Sequence, residues 1–402
     1  MNLSEPGRLP YPSVDPYASG HLEVDELHQI YWETSGNPQG MPVVFLHGGP
    51  GGGTLPAHRR FFDPAHYRII LFDQRGAGRS LPKGEIRANT TAHLIADMER
   101  LREFLQVDQW LLFGGSWGST LALAYGQAHP QRCLGFILRG IFLGEAREIR
   151  WFLHDLQTVH PEAWRAFSEF LPAAERGDLL GAYRSRLGSE DPDIHLPAAR
   201  AWAHYEASAS TLLPNADLVR GMEHEALTLA RLEAHYMAHD MFLAERQLLA
   251  GVGAIRHLPA ILVQGRYDMV CPIAAADELA RAWPEAYYEI IPDAGHSAFE
   301  PGVTRALASA TEAFKRLLPL AEPQETPPKG RRPRTQANGK SKATAAKAAN
   351  KPKKTDATKT KKPFASEPEP QEAAVKEAGK NTRRGSRRRR KAPGAASNEA
   401  EN

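Results

Sequence analysis

An α/β architecture with a mostly parallel sheet is the fold class that the sequence predicts. Short apolar runs typical of buried strands recur along residues 1–320, with helical patterns such as Thr91–Gln106 between them. Between about residues 144 and 246 the strand-like runs stop, and helical patterns continue. The sequence therefore predicts a sheet whose strands are interrupted by a helical insertion. The strand-like runs are Val43–Leu46, Tyr67–Phe72, Trp110–Phe113, Leu134–Leu138, Ala260–Gln264 and Ala286–Ile291.

The chain of 402 residues divides into four predicted segments. Residues 1–143 and 247–320 form the two parts of the core that carries the sheet. Residues 144–246 form a helical cap, which we expect to lie above the functional site. Such a cap excludes water and selects the substrate. Residues 321–402 form a tail of low complexity with almost no aliphatic or aromatic side chains beyond alanine. Such a tail buries too little apolar surface to offset its chain entropy, so we expect it to be disordered.

The tail and the rest of the chain carry opposite charges. Residues 321–402 contain 22 lysines and arginines against 9 aspartates and glutamates, a net charge of +13. The whole-chain totals of 50 and 47 leave 28 and 38 in residues 1–320, a net charge of −10. The basic run Arg383–Arg390 favours weak contact with nucleic acid or another polyanion. A purely solvating extension is the alternative, and the scarcity of aromatic rings predicts that any binding is independent of sequence.

Composition argues against secretion, membrane spanning and metal chemistry. No N-terminal apolar segment precedes a cleavage site, and no run of about 18 apolar residues occurs, so we expect a cytoplasmic protein. The two cysteines, Cys133 and Cys271, suit a reducing compartment. His235 and His239 are four residues apart, but a metal needs further ligands. We therefore expect hydrogen-bonded or solvated histidines and neither a metal nor another cofactor.

The segment GGSWG, residues 114–118, has the pattern of a nucleophile turn. A strand-like run enters it, and the Ala- and Leu-rich run Thr120–Ala128 leaves it. In a G-x-S-x-G turn between a strand and a helix, the serine backbone is strained and its hydroxyl is exposed to a substrate. The flanking glycines let the strand and the helix approach closely. The sequence therefore predicts Ser116 as a catalytic nucleophile.

A serine nucleophile needs a histidine base and an acid that orients the histidine. Asp268 follows the strand-like run Ala260–Gln264, and His296 lies in a loop of small residues after Ala286–Ile291. The chain order Ser116, Asp268, His296 is that of the α/β-hydrolases, which build their sites just past strand ends. The order and placement together predict a catalytic triad.

Backbone N–H groups must also bind the oxyanion of the tetrahedral intermediate. Trp117, the residue after the nucleophile, supplies one of them. The loop HGGPGGG, residues 47–53, follows the strand-like run Val43–Leu46 and supplies the other. We favour Gly49 as this donor, with Gly48 as the alternative. A phosphate-binding loop is the competing interpretation, but no G-K-[ST] follows the glycines.

The sequence resembles the proline iminopeptidases, also called prolyl aminopeptidases, which are α/β-hydrolase serine peptidases. The similarity covers nearly all of residues 10–318. The resemblance implies release of N-terminal proline from peptides through a prolyl-enzyme ester, so the expected partners are peptides with a free N-terminal proline. The motifs that carry it are HGGPGGG, LFDQRGAGRS, NTT, GGSWGSTLALAYGQAHP, LRGIFL, GRYDMVCP and GHSAFEP.

The resemblance also implies residues that bind the substrate. Two glutamates that hold the substrate amine in the family match Glu206 and Glu233, and Phe142 matches an apolar wall for the proline ring. The chain departs from the family pattern beside both glutamates. Tyr205 stands where relatives commonly have Trp, and Met237 stands where they have Phe. Since Met is flexible, a strict preference for proline is less firmly implied than the class of reaction.

Two alternatives to a prolyl aminopeptidase stay open. The first is an aminopeptidase of broader specificity or an esterase. The second is a protein that binds polyanions and whose hydrolase domain is vestigial, although the intact trio of Ser116, Asp268 and His296 argues against it. Cys271, three residues after Asp268, is expected to pack rather than to react.

Overall fold

The computed structural model describes residues 11–223 and 225–319. The tail predicted for residues 321–402 lies outside the described residues. Its disorder and its contact with polyanions therefore stay predictions from the sequence.

An eight-stranded sheet forms the centre of the fold, in the order β1-β2-β4-β3-β5-β6-β7-β8. The pairs β1–β2 and β2–β4 are antiparallel, and the remaining pairs are parallel. This arrangement confirms the mostly parallel sheet. The strands are β1 (Pro16–Glu23), β2 (Gln29–Gly36), β3 (Met41–Leu46), β4 (Tyr67–Phe72), β5 (Trp110–Ser116), β6 (Cys133–Ile141), β7 (Ala260–Gly265) and β8 (Tyr287–Ile291).

The sequence analysis did not predict β1 and β2. The sequence of β1, PYASGHLE, has few apolar residues, and its side chains alternate between half-buried and exposed positions. β1 lies at the edge of the sheet, so only one of its two sides pairs with another strand, which is β2. An edge strand that buries so little apolar surface lacks the hydrophobic run by which a central strand is found.

Helices cover both faces of the sheet. Alternate residues of each central strand face opposite layers, as expected from the twofold periodicity of a strand. Val44 of β3 faces the cluster that contains Leu121, whereas Phe45 faces the cluster that contains Leu307 and Phe314. The helices are α1 (Thr91–Phe104), α2 (Trp117–Ala128), α3 (Ala146–Leu153), α4 (Pro161–Glu169), α5 (Leu179–Leu187), α6 (Pro192–Ala209), α7 (Ala216–Glu223), α8 (Ala226–Met237), α9 (Gln247–Ala250), α10 (Ile273–Ala282) and α11 (Pro301–Leu317).

Helices α3 to α9 lie between β6 and β7 in the chain, and the described residues of this segment contain no strand. Their apolar faces share a cluster of buried aromatic rings. In it Phe167 stacks between Tyr183 and Tyr205, with 4.4 Å between the ring centroids of each pair. Trp202 packs edge-on against Phe167 and Tyr183. These contacts support residues 144–246 as a cap, and we keep that division of the chain as a proposal. None of the helices described here is long and apolar enough to cross a bilayer.

Candidate active site

Ser116 is the last residue of β5, and α2 begins at the next residue. Its backbone has φ 58° and ψ −131°, a conformation that non-glycine residues rarely adopt. The strand and the helix approach so closely that a Cβ on Gly114 would lie 2.3 Å from the carbonyl oxygen of Gly118. A Cβ on Gly118 would lie 2.0 Å from the carbonyl oxygen of Leu46. The glycines therefore permit the turn that presents Ser116 at the end of the sheet.

Asp268 and His296 are directly joined. Nδ1 of His296 lies 2.8 Å from Oδ2 and 3.0 Å from Oδ1 of Asp268, and both residues are buried. The Asp268 carboxylate also accepts the N–H of Cys271 at 2.8 Å and the side-chain amide of Gln264 at 3.1 Å. Because an ionised carboxylate only accepts hydrogen bonds, Nδ1 of His296 carries a proton and donates it. In the neutral ring, Nε2 is then left as the basic atom.

Nε2 of His296 faces an arginine in this structure. Nη1 of Arg139, on β6, lies 3.3 Å from Nε2 and donates to the backbone oxygen of His296 at 2.7 Å. Oγ of Ser116 lies 3.9 Å from Sγ of Cys271, and no hydrogen bond joins it to His296 among the described residues. Hydrogen bonds between a nucleophile and its base are often long without substrate. The structure thus brings Asp268 and His296 together, while the bond from Ser116 to His296 stays a prediction.

The expected oxyanion donors lie beside Ser116. A Cβ on Gly48 would lie 3.2 Å from Cβ of Ser116, so this glycine packs directly against the nucleophile. Gly49, with φ +107°, lines the same pocket as Ser116. Trp117 is the first residue of α2, and a backbone N–H in the first turn of a helix has no partner within that helix. Two chain segments can therefore direct amides toward one carbonyl group.

A pocket opens onto Ser116. Its wall is largely apolar, which suits a small ring such as pyrrolidine, and three glutamates also line it. Phe142, which the resemblance predicts as an apolar wall, lies in this wall, and so does Met237. The lining residues are Gly49, Ser116, Phe142, Glu148, Ile149, Phe152, Glu206, Glu233, Met237, Val270 and Cys271.

Glu206 on α6 and Glu233 on α8 are buried side by side in the pocket wall. Their exposed fractions are 8% and 3%, and neither forms an ion pair with a described Lys, Arg or His. Oε2 of Glu206 is buried without a hydrogen-bond partner, whereas Glu233 accepts the indole N–H of Trp202. Burial raises the pKa of Glu206 to about 7. Burial, and then the charge of Glu206, raises the pKa of Glu233 well above its ordinary range. Such a pair attracts a cation.

Several residues at the site were not singled out from the sequence. Arg139 contacts His296, Gln264 holds Asp268, and Gln74 and His47 support the loop that carries Gly49. The glutamine in the apolar run AILVQ was a signal, because a buried amide needs partners. Glu148 is the third buried glutamate of the pocket, and its carboxylate accepts the N–H of Leu143, next to Phe142.

The remaining candidates are hydrogen-bonded residues. Nε2 of His235 lies 2.9 Å from the carbonyl oxygen of Asn89, and Nδ1 of His239 lies 2.7 Å from the carbonyl oxygen of His235. Within residues 11–223 and 225–319, no group of three or more His, Cys, Asp or Glu could hold a metal. Burial raises the pKa of the Cys271 thiol well above its ordinary range, which keeps the thiol protonated and unreactive at neutral pH.

Comparison with known proteins places this geometry in a family. The chain matches the model of the alpha/beta hydrolase fold over residues 41–303. It is 50% identical over 316 residues to a proline iminopeptidase of Arabidopsis thaliana, and the alignment covers 77% of this chain and 83% of the relative. It is 48% identical over 311 residues to a proline iminopeptidase of Xanthomonas citri, and the alignment covers 76% of this chain and 99% of the relative.

Solved structures show the same fold at low identity. An esterase from Exiguobacterium antarcticum is 17% identical with a TM-score of 0.55, over 74% of this chain and 100% of the esterase. A proline iminopeptidase-related protein from Thermus thermophilus is 23% identical with a TM-score of 0.51, over 76% of this chain and 99% of that protein. The identities to the curated relatives are high enough to assign the family. The chain therefore belongs to the α/β-hydrolase family and, within it, to the proline iminopeptidases.

Proposed function

We propose that this protein is a serine aminopeptidase that releases N-terminal proline from peptides. The observation that carries the proposal is the buried pair Glu206 and Glu233 in the same pocket as Ser116. A substrate with a protonated N-terminal amine supplies the cation that these carboxylates lack. The curated relatives, which are named proline iminopeptidases, support this substrate.

In the proposed reaction, Oγ of Ser116 attacks the carbonyl carbon of the N-terminal residue while Nε2 of His296 accepts its proton. Asp268 holds Nδ1–H of His296 and stabilises the imidazolium that forms. The N–H groups of Gly49 and Trp117 bind the oxyanion. Collapse of the intermediate breaks the peptide C–N bond, and His296 returns the proton to the leaving nitrogen. Water, activated by His296, then hydrolyses the prolyl ester on Ser116.

The proposed pocket limits the enzyme to the end of a chain. Glu206 and Glu233, which bind the ammonium, line the same pocket as Ser116. Because the amine and the attacked carbonyl carbon belong to one residue, a substrate bound in this way is cleaved after its first residue. Phe142 contributes an apolar wall against which the ring packs.

A turnover panel tests the proposed function. The substrates are the 4-nitroanilides of proline and alanine, and 4-nitrophenyl acetate as an ester without an amine. We expect proline to give the highest kcat/KM. Equal values for proline and alanine favour an aminopeptidase of broader specificity, and turnover of the acetate alone favours an esterase. Either result contradicts the proposal.

Two expectations rest on the sequence alone and stay proposals. The first is a cytoplasmic location. The second is weak binding of nucleic acid by residues 321–402, which predicts an affinity that falls steeply as salt rises. A titration of duplex DNA at low and moderate salt, with the full chain and with residues 1–320, tests the second. Equal binding by both chains, or none by either, contradicts it.

A further inference from the structure

Gln74, two residues after β4, makes three hydrogen bonds to His47 and Trp117 at the end of the sheet where Ser116 lies. Its backbone N–H donates to Nε2 of His47 at 2.9 Å, and its side-chain Nε2 donates to the carbonyl oxygen of His47 at 3.0 Å. Its Oε1 accepts the indole N–H of Trp117 at 2.8 Å. These partners fix the orientation of the amide, because a carbonyl oxygen only accepts and an indole N–H only donates. Gln74 is also fully buried.

The bonds of Gln74 span three strands. β4 pairs with β3, and β3 pairs with β5. His47 follows β3, and Trp117 begins the helix after β5. The side chain of Gln74 must therefore pass the end of β3 to reach Trp117. It joins the two segments that carry the expected oxyanion donors.

The backbone N–H of Gln74 also decides the tautomer of His47. Burial lowers the pKa of His47, so its ring is neutral and carries one proton. Because Nε2 accepts from Gln74, that proton is on Nδ1, which donates to the carbonyl oxygen of Gly48 at 2.9 Å. The N–H of Gly53, 3.2 Å from Nδ1, could bond only to the other tautomer. That tautomer would place an N–H on Nε2 against the N–H of Gln74.

This tautomer orients the peptide between Gly48 and Gly49. The carbonyl group of Gly48 and the N–H of Gly49 belong to one trans peptide plane and point to opposite sides of the chain. With the carbonyl held by His47 and by the N–H of Gly52, the N–H of Gly49 points away from the His47 ring. Gly49 lines the pocket with Ser116. The arrangement favours Gly49 over Gly48 as the oxyanion donor.

We propose that Gln74 is a positioning residue of the oxyanion hole, which sets the placement of the Gly49 and Trp117 N–H groups without touching the substrate. The inference rests on the proposed function, because these amides act only if Ser116 forms a tetrahedral intermediate. Loss of one oxyanion donor lowers kcat by roughly 100- to 1000-fold, and a displacement of about 1 Å costs up to about 100-fold. A displaced donor therefore lowers kcat more than it weakens substrate binding.

Two variants test the role of Gln74. Gln74→Met keeps the length of the side chain and the backbone N–H, and removes both the N–H donor and the oxygen acceptor of the side-chain amide. Trp117→Phe keeps the backbone N–H and an aromatic ring, and removes the indole N–H together with part of the ring, a loss of volume that the control Trp164→Phe also makes. For each we expect kcat for prolyl-4-nitroanilide to fall by about tenfold to 100-fold with little change in KM. The affinity for proline boronic acid, which forms a tetrahedral adduct with a serine, should fall by a similar factor. The affinity for pyrrolidine, which occupies the pocket without an oxyanion, should stay near that of the wild type.

Matched controls remove comparable bonds elsewhere. Gln127 donates to the carbonyl oxygen of Leu248 at 2.7 Å, and Trp164 donates its indole N–H to the carbonyl oxygen of Leu153 at 2.8 Å. Gln127→Met and Trp164→Phe should leave kcat and the affinities for both inhibitors near those of the wild type. If Gln74→Met does not fold, Trp117→Phe gives the same comparison on its own.

The outcomes separate this inference from the proposed function. An equal loss of affinity for the boronic acid and for pyrrolidine means that Gln74 only supports the fold, which overturns the inference. Wild-type kcat in Gln74→Met or Trp117→Phe overturns it as well. A wild-type protein that turns over no prolyl substrate contradicts the proposed function instead.

Discussion

The indole N–H of Trp202 donates to a carboxylate oxygen of Glu233 across 2.6 Å and thereby joins α6 to α8. The bond orients Glu233 but supplies no positive charge beside it. Glu206, one helical turn after Trp202, has a buried oxygen without any partner. The cap thus holds two buried acidic groups side by side, with no ion-pair partner among the described residues, and burial raises the pKa of both. A substrate ammonium supplies the missing charge in the proposed complex.

Replacing either glutamate with glutamine should reduce turnover of substrates that carry an amine. We expect kcat/KM for prolyl-4-nitroanilide to fall by about tenfold to 100-fold in Glu206→Gln and Glu233→Gln, because hydrogen bonds to charged groups are stronger than neutral ones. Hydrolysis of 4-nitrophenyl acetate should change much less. Glu190→Gln, at an exposed position before α6, is the control. Equal losses on both substrates argue against amine binding by these residues.

The raised pKa of Glu206 predicts how stability depends on pH. The folded carboxyl has a pKa of about 7 against an ordinary value of 4.5, so the folded chain retains a proton that the unfolded chain releases. This contribution to stability is complete below about pH 4.5 and is lost as the pH rises through about 7. The Tm of the wild type should therefore fall between about pH 5 and pH 8 by a few degrees more than that of Glu206→Gln.

Thermal melts of both proteins across this range measure the difference. Burial also raises the pKa of Glu148 to about 7, and its contribution is present in both proteins, so the comparison removes most of it. Parallel curves of Tm against pH would show that Glu206 ionises freely in the folded chain.

Removing the nucleophile should abolish activity without disturbing the fold. The hydroxyl of Ser116 supplies the covalent step, so Ser116→Ala should lower kcat for prolyl-4-nitroanilide by roughly 10,000-fold or more. The Tm should stay near that of the wild type. Ser208→Ala, which removes a helical serine bonded to the carbonyl oxygen of His204, controls for the loss of a hydroxyl. Activity within about tenfold of the wild type in Ser116→Ala would exclude the serine mechanism.

The turn at Ser116 predicts a strong steric effect. A Cβ on Gly118 would lie 2.0 Å from the carbonyl oxygen of Leu46, and the nearest atoms all belong to the backbone of Leu46 and His47, which leaves little room for adjustment. We expect Gly118→Ala to lower the free energy of unfolding by about 1–3 kcal/mol or more, because overpacking a tight core costs this much. Urea unfolding measures the change. Gly253→Ala, where a Cβ meets nothing within 4 Å, should be neutral or slightly stabilising, and equal stability of both variants would contradict the account.

The elements that sequence could predict are those whose signals are local. The strand, turn and helix around Ser116 follow from an apolar run, small residues and an Ala- and Leu-rich run in immediate succession. Asp268 and His296 follow strands that are apolar enough to be recognised. Boundaries shifted only modestly: the run predicted as Leu134–Leu138 is the strand Cys133–Ile141.

The features that sequence did not predict depend on partners distant in the chain. β2, which was not predicted, pairs with β1 on one side and with β4 on the other. The role inferred for Gln74 requires His47 and Trp117 to lie at neighbouring strand ends. The contact of Arg139 with His296 joins residues 157 positions apart. No periodicity or short motif encodes such a pairing, which follows from the order of strands in the sheet.

A comparison of free and blocked substrate tests the central proposal most directly. The measurement is the ratio of kcat/KM for prolyl-4-nitroanilide to that for N-acetylprolyl-4-nitroanilide, in the wild type and in Glu206→Gln. Acetylation removes the charge that Glu206 and Glu233 are proposed to bind and leaves the ring and the scissile bond intact. We predict a ratio of about 100 or more for the wild type, which falls by about tenfold or more in Glu206→Gln. A wild-type ratio near one would contradict the proposal that this protein is an aminopeptidase.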